Sequence, residues 1–94
     1  MKVERFASVW DAIEGDPAEA ASLKARSELM IAIRQTIEGW DVEKAAAARR
    51  LGIPRKRLAD LFNGNIEEFS LDDLVRLAAL AGLSVALEVV RPAA

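Results

Sequence analysis

Residues 44–65 read KAAAARRLGIPRKRLADLFNGN, and this stretch decides the fold. Ala45–Arg50 are strong helix formers that stop at Gly52. Pro54 suits the first position of a second helix, because its missing N–H costs nothing there. That second helix carries Arg55, Lys56, Arg57 and Asp60 on a polar side and Leu58, Leu61 and Phe62 on an apolar one. Asn63-Gly64-Asn65 then breaks the pattern. Six basic residues and no acidic one lie in positions 44–57: Lys44, Arg49, Arg50, Arg55, Lys56 and Arg57. The whole chain has a formal charge of -2, so with these six positive charges set aside the remainder carries -8. Basic charge concentrated on two short helices of an acidic chain points to local contact with a polyanion, DNA first.

Upstream, Asp41 is placed to cap the first of these helices, with Glu43 in its first turn. Before it, a long helix is expected over Ala18–Glu38. Leu23, Met30, Ile33 and Ile37 recur at helical spacing there, and Leu29 widens the stripe. Asp16 and Pro17 suit its N-cap and first position, and Gly39 ends it. Earlier still, Ser8 is placed to cap a short helix with Val9, Trp10 and Ile13, and Met1–Phe6 reads as partly extended. Downstream, Ser70 caps a helix over Leu71–Ala81, with Asp72 and Asp73 at its positive end and Gly82 after it. Val85, Leu87 and Val89 then alternate with Ala86, Glu88 and Val90, which reads as one strand, Ser84–Arg91, ended by Pro92. A lone strand needs an edge, either Met1–Phe6 or a second copy of the chain. The expected fold is mainly α: a bundle of about five helices with a short C-terminal β-strand. Residues 1–17 form an N-terminal extension with a short helix, 18–82 the central domain, and 83–94 a strand and tail suited to dimerisation.

With 94 residues the chain is one domain with a modest core, which oligomerisation would assist. It has no cysteine and no histidine, which removes disulfides, thiol chemistry, the usual general base and the commonest metal ligand. No nucleophile–base pair, phosphate loop or metal cluster stands out among its carboxylates, so no catalytic site, metal or cofactor is expected. There is no long apolar run and no signal-peptide core, so a soluble cytoplasmic protein without membrane contact is the expectation.

Two short helices joined by a few residues that include Gly52 form a helix-turn-helix unit. Ala48 suits the point where the helices touch, Leu51 and Gly52 the turn, and Leu58 and Leu61 the core side of the second helix. That leaves the front of the second helix exposed, at a width the DNA major groove accepts. Lys44–Asn65 resembles the Cro/repressor-type (XRE-like) helix-turn-helix family, with Ala48, Gly52 and Leu58 as its packing landmarks and Asn63-Gly64 as the turn after its recognition helix. More closely, the chain resembles HigA-like antitoxins of type II toxin–antitoxin pairs. That likeness runs through Ser8-Val9-Trp10, the stretch Leu23–Leu29, Arg50-Leu51-Gly52-Ile53, Phe69–Leu74 and Ala81-Gly82-Leu83, nearly the whole chain.

The resemblance implies a lambda-repressor-like bundle and assigns roles by position. Arg55, Lys56, Ala59 and Asp60 match base-facing positions, and Lys44, Arg57 and Asn63 match positions that contact the DNA backbone. Lys44 stands where the family usually has Gln, and Pro54-Arg55 where it has Thr or Ser then Gln, so the operator sequence is not legible. Arginine favours guanine edges, so a G-containing half-site is expected. Alternatives stay open: Asp60 either reads cytosine or pairs with Lys56 or Arg57, and Arg49 and Arg50 either contact DNA, face solvent or pair with Asp41 or Glu43. Trp10 belongs to the core or to an interface, and Trp40 braces the two helices. The resemblance implies a homodimeric repressor of double-stranded operator DNA that neutralises a RelE/HigB-like ribonuclease toxin. The alternatives are a stand-alone regulator and an adaptor that has lost DNA binding.

Overall fold

The computed structural model describes residues 16–92. Four α-helices follow one another within them: α1 Pro17–Glu38, α2 Lys44–Leu51, α3 Arg55–Phe62 and α4 Leu71–Leu80, with a 3-10 turn at Ile66–Glu68. Asp16 caps α1, its carboxylate accepting from the Glu19 N–H at 3.1 Å, and Pro17 opens the helix. Ser70 caps α4 through a reciprocal box: the Asp73 N–H donates to Ser70 Oγ at 3.0 Å, and the Ser70 N–H donates to Asp73 Oδ2 at 2.9 Å.

The stripe read from α1 is the one that is buried: Leu23, Met30, Ile33 and Ile37. Met30, Ile33 and Ile37 meet Ala47, Ala48 and Leu51 of α2, Leu58 and Leu61 of α3, Phe69, and Leu74, Leu77 and Ala78 of α4 in one core. Ile33, Leu61, Leu74 and Ala78 are wholly enclosed. Each large aliphatic chain so buried contributes about 1.5–3 kcal/mol relative to exposure. The long α1 lies along α4 and reaches α3 and the 3-10 turn, while α2 packs on α3. Arg26 threads the same α1 face, donating to the carbonyls of Ile66 (3.2 Å) and Phe69 (3.4 Å) and pairing with Glu19 at 3.2 Å. These bonds tie α1 to two carbonyls of the link between α3 and α4, of which that of Ile66 also accepts the Phe69 N–H.

Three expectations need correction. The described residues contain no β-strand, and 84–92 have no regular structure. Alternation alone does not make a strand: the backbone needs an edge to pair with, and none among the described residues supplies one. Val85, Leu87 and Val89 are all exposed, Leu87 at 88 %. The four helices among the described residues are four of the five expected; the helix expected after Ser8, like Trp10 and Met1–Phe6, lies outside them. Asp41 does not cap α2: it takes a left-handed conformation (φ 56°) in the link, and Glu43 stands at the cap with no side-chain bond. Pro54 precedes α3 as its N-cap residue rather than opening it. Its extended ψ of 152° leaves Arg55 as the first helical position.

Candidate nucleic-acid interface

The turn between α2 and α3 is built by Gly52. At φ 72°, ψ 33° it reverses the chain in the left-handed region. Its N–H donates to the Arg49 carbonyl at 3.1 Å, and the Ile53 N–H donates to the Ala48 carbonyl at 3.0 Å. This double bond pattern closes α2 and tucks Ile53 against the core. Ala48 is buried where only a methyl stands, and Leu51, Leu58 and Leu61 are buried as the two-helix reading requires. The same pattern closes α3: the Asn65 N–H donates to the Asp60 carbonyl at 3.0 Å around Gly64.

With Leu58 and Leu61 turned inward, α3 presents Arg55, Lys56 and Ala59 to solvent, and Asn63 is exposed at its end. The six cations of the block have different attachments. Arg49 and Arg55 are exposed, with no hydrogen bond or ion pair to other described residues. The Lys44 ammonium lies 5.3 Å from the centre of the Phe62 ring, and the Arg50 guanidinium stacks 3.9 Å over Trp40. Trp40 is half-buried against the core beside α2, so its bracing role is joined to a second one, as a platform for Arg50.

Lys56 reaches forward one turn to Asp60 at 3.2 Å while its side chain stays 83 % exposed. Asp60 is itself buried, and its other oxygen accepts from the Asn65 amide at 2.9 Å. The Asn65 hydrogen bond, then Lys56, hold its carboxyl below the ordinary aspartate value. Of the partners open to Asp60, the structure brings it to Lys56. Arg57 turns away from the exposed face: it donates to the Glu68 carbonyl, pairs with Asp73 at 3.0 Å and lies over the Phe69 ring at 4.2 Å. Sequence reasoning did not find Arg26, Arg34 or Asn65. Arg34 donates to the Phe62 carbonyl at 3.4 Å, at the negative end of α3.

Residues 13–90 match the family described as a helix-turn-helix domain, well over half of the chain, and the protein belongs to that family. It is a DNA-binding helix-turn-helix domain of the Cro/repressor type and not an enzyme. No curated protein matches the chain. No solved structure matches it either. Among the described residues, no helix is long and apolar enough to cross a membrane.

Proposed function

We propose that the protein is a sequence-specific repressor of double-stranded DNA, acting in the cytoplasm as a homodimer. The observation that carries this is the outward face of α3, where Arg55, Lys56 and Ala59 stand clear of the core on a helix that fits the major groove. Arg55 and Lys56 address base edges, Ala59 lets the helix approach closely, and Lys44 and Asn63 hold the DNA backbone. Asp60 is left out of the base-reading set because Lys56 and Asn65 occupy its carboxylate. One motif per chain requires two copies on a two-fold site, with motifs about 34 Å apart. We assign the dimer contact to side-chain packing of the exposed apolar tail, Val85, Leu87, Val89 and Val90.

Selection of duplexes from a random library, followed by salt titration of binding, tests the reading. An Arg55/Lys56 double alanine variant is expected to lose sequence preference, at about 1–3 kcal/mol for each good base contact removed. Equal preference in wild type and double variant ends the assignment. Failure of the wild type to bind any duplex supports the adaptor instead.

The finer role we propose is that of an antitoxin neutralising a RelE/HigB-like ribonuclease. It is supported by the sequence resemblance and by the -8 charge outside the basic block, which suits a partner whose RNA-holding surface is basic. Purification of the protein from its native host with whatever is bound decides this. A small basic ribonuclease in the complex supports the antitoxin, and DNA without one supports a stand-alone regulator.

A further inference from the structure

Arg57 sits between exposed Lys56 and buried Leu58, with its side chain 31 % exposed. Its guanidinium makes three contacts outside α3: the Glu68 carbonyl, Asp73 Oδ2 at 3.0 Å, and the face of Phe69 at 4.2 Å. Phe69 is fully buried, so the ring is a fixed platform. The Asp73 oxygen that takes Arg57 also accepts the Ser70 N–H at 2.9 Å, within the capping box of α4. The backbones of α3 and α4 make little direct contact, and α3 has no side-chain cap of its own at Pro54. Arg57 is therefore the polar side-chain tie between the first turns of the two helices, beside the apolar Leu58 and Leu74 in the core.

We propose that Arg57 is a positioning residue: anchored on Phe69 and the Ser70–Asp73 capping box, it fixes the orientation in which α3 presents Arg55 and Lys56, and it does not itself neutralise a DNA phosphate. The planar fork and the stacking are what the anchor needs, and lysine supplies neither. The charge is consumed inside the protein, so it releases no counterion from DNA. The inference rests on the DNA-binding reading of α3 for its consequence, but the anchor exists in the free protein.

The test uses Arg57→Met, Arg57→Lys, Asp73→Asn and the Arg57→Met/Asp73→Asn pair in the full chain, with the best duplex from library selection and a scrambled duplex as probes. Asparagine at 73 keeps an oxygen for the Ser70 N–H, so the α4 cap survives, and it leaves Arg57 at most a neutral hydrogen bond in place of the ion pair. Well below the melting temperature, the two single Arg57 variants and the paired variant are expected to lose roughly tenfold on the selected duplex, the scale of one good base contact, Asp73→Asn less, and all four little on the scrambled one. The slope of log affinity against log salt should not change. A phosphate contact predicts the opposite: Arg57→Met lowers the slope by about 0.9, Arg57→Lys restores binding, and Asp73→Asn, which loosens the hold on Arg57 and removes a negative charge, tightens it. Any of these three results overturns the proposal. In the free protein, the paired variant should lose less than the sum of the two single losses, because the Arg57–Asp73 pair is removed in both. Additive losses there overturn the anchor whether or not DNA binds. If the wild type binds no duplex, the DNA reading fails and this melting cycle alone decides the anchor.

Discussion

Replacing Gly52 by alanine should destabilise the fold through backbone conformation alone. At φ 72°, a Cβ built on Gly52 meets nothing within 4 Å, so no clash contributes. Holding an L-residue in the left-handed region costs about 1–2 kcal/mol. The stiffer unfolded chain returns about 0.4–1 kcal/mol of that. The net loss is on the order of 1 kcal/mol, which for a domain of this size lowers Tm by roughly 4–8 °C. Asparagine tolerates the left-handed region better and should lose less, whereas valine, β-branched, should lose more. Gly39 is the internal control. Its φ of -68° is ordinary helical backbone, and an added Cβ would lie 3.4 Å from the Thr36 carbonyl oxygen, a normal contact. Gly39→Ala should therefore leave Tm unchanged or raise it. Thermal unfolding followed by circular dichroism at neutral pH measures all four variants. A Gly52→Val protein that melts with the wild type, or a Gly39→Ala protein that loses as much as Gly52→Ala, would show that this conformational account of the turn is wrong.

Ala48 is 2 % exposed at the α2–α3 crossing, so Ala48→Leu should overpack it and cost about 1–3 kcal/mol in denaturant unfolding, against no change if the crossing is loose. Asp60 and Asp73 both have folded-state pKa values held below their ordinary 3.8, Asp60 chiefly by Asn65 and Asp73 chiefly by the Ser70 N–H. Their stabilisation is thus full above that value and is lost as pH falls through the lowered folded values. Stability measured from pH 6 down to pH 2 should drop at the acid end, and Asp60→Asn or Asp73→Asn should flatten that drop. Deleting 84–94 should convert a dimer at micromolar concentration into a folded monomer by light scattering, and a truncated protein that stays dimeric removes the tail from the interface.

The helices were legible in the sequence because their signals are local and redundant. The apolar stripe of α1, the Asp16-Pro17 start and the Ser70–Asp73 capping box each rest on residues within one turn of each other, and each is where the spacing puts it. Gly52 was legible because few other residues occupy that conformation. The tail misled because a period of two describes how side chains alternate, not whether a backbone partner exists. Pairing is a non-local property, and Val85, Leu87 and Val89 alternate equally well in an unpaired segment. Asp41 misled because a capping residue and a left-handed link residue draw on the same small set of amino acids. Arg26 was hidden among surface charges, although its position three after Leu23 and four before Met30 puts it on the buried stripe. An arginine on that stripe signals hydrogen-bond acceptors within its reach on the facing element. Arg57 was read as part of a basic run because its partners, Glu68 and Asp73, lie beyond the next turn of chain.

The basic block is therefore not six equivalent charges. Arg49 and Arg55 are presented to a ligand as the protein stands and Lys56 is exposed but paired with Asp60, whereas Lys44 and Arg50 must leave aromatic rings to reach one. Such ring contacts are worth about 0.5–1 kcal/mol at exposed sites, less than a charge-assisted bond of about 1.5–3 kcal/mol, so a well-placed phosphate can recruit both. Arg57 is held by three contacts at once and is the most expensive to recruit. This graded commitment acts together with the -8 carried by the rest of the chain. Acidic surface within a Debye length of about 8 Å opposes loose, unregistered approach to DNA. Under the proposed function, binding is then expected to become favourable chiefly when α3 is seated and the ring-held cations have exchanged onto phosphates. An acidic protein with a small, partly latched basic face should thus show a larger gap between selected and scrambled DNA than a uniformly basic domain of the same fold.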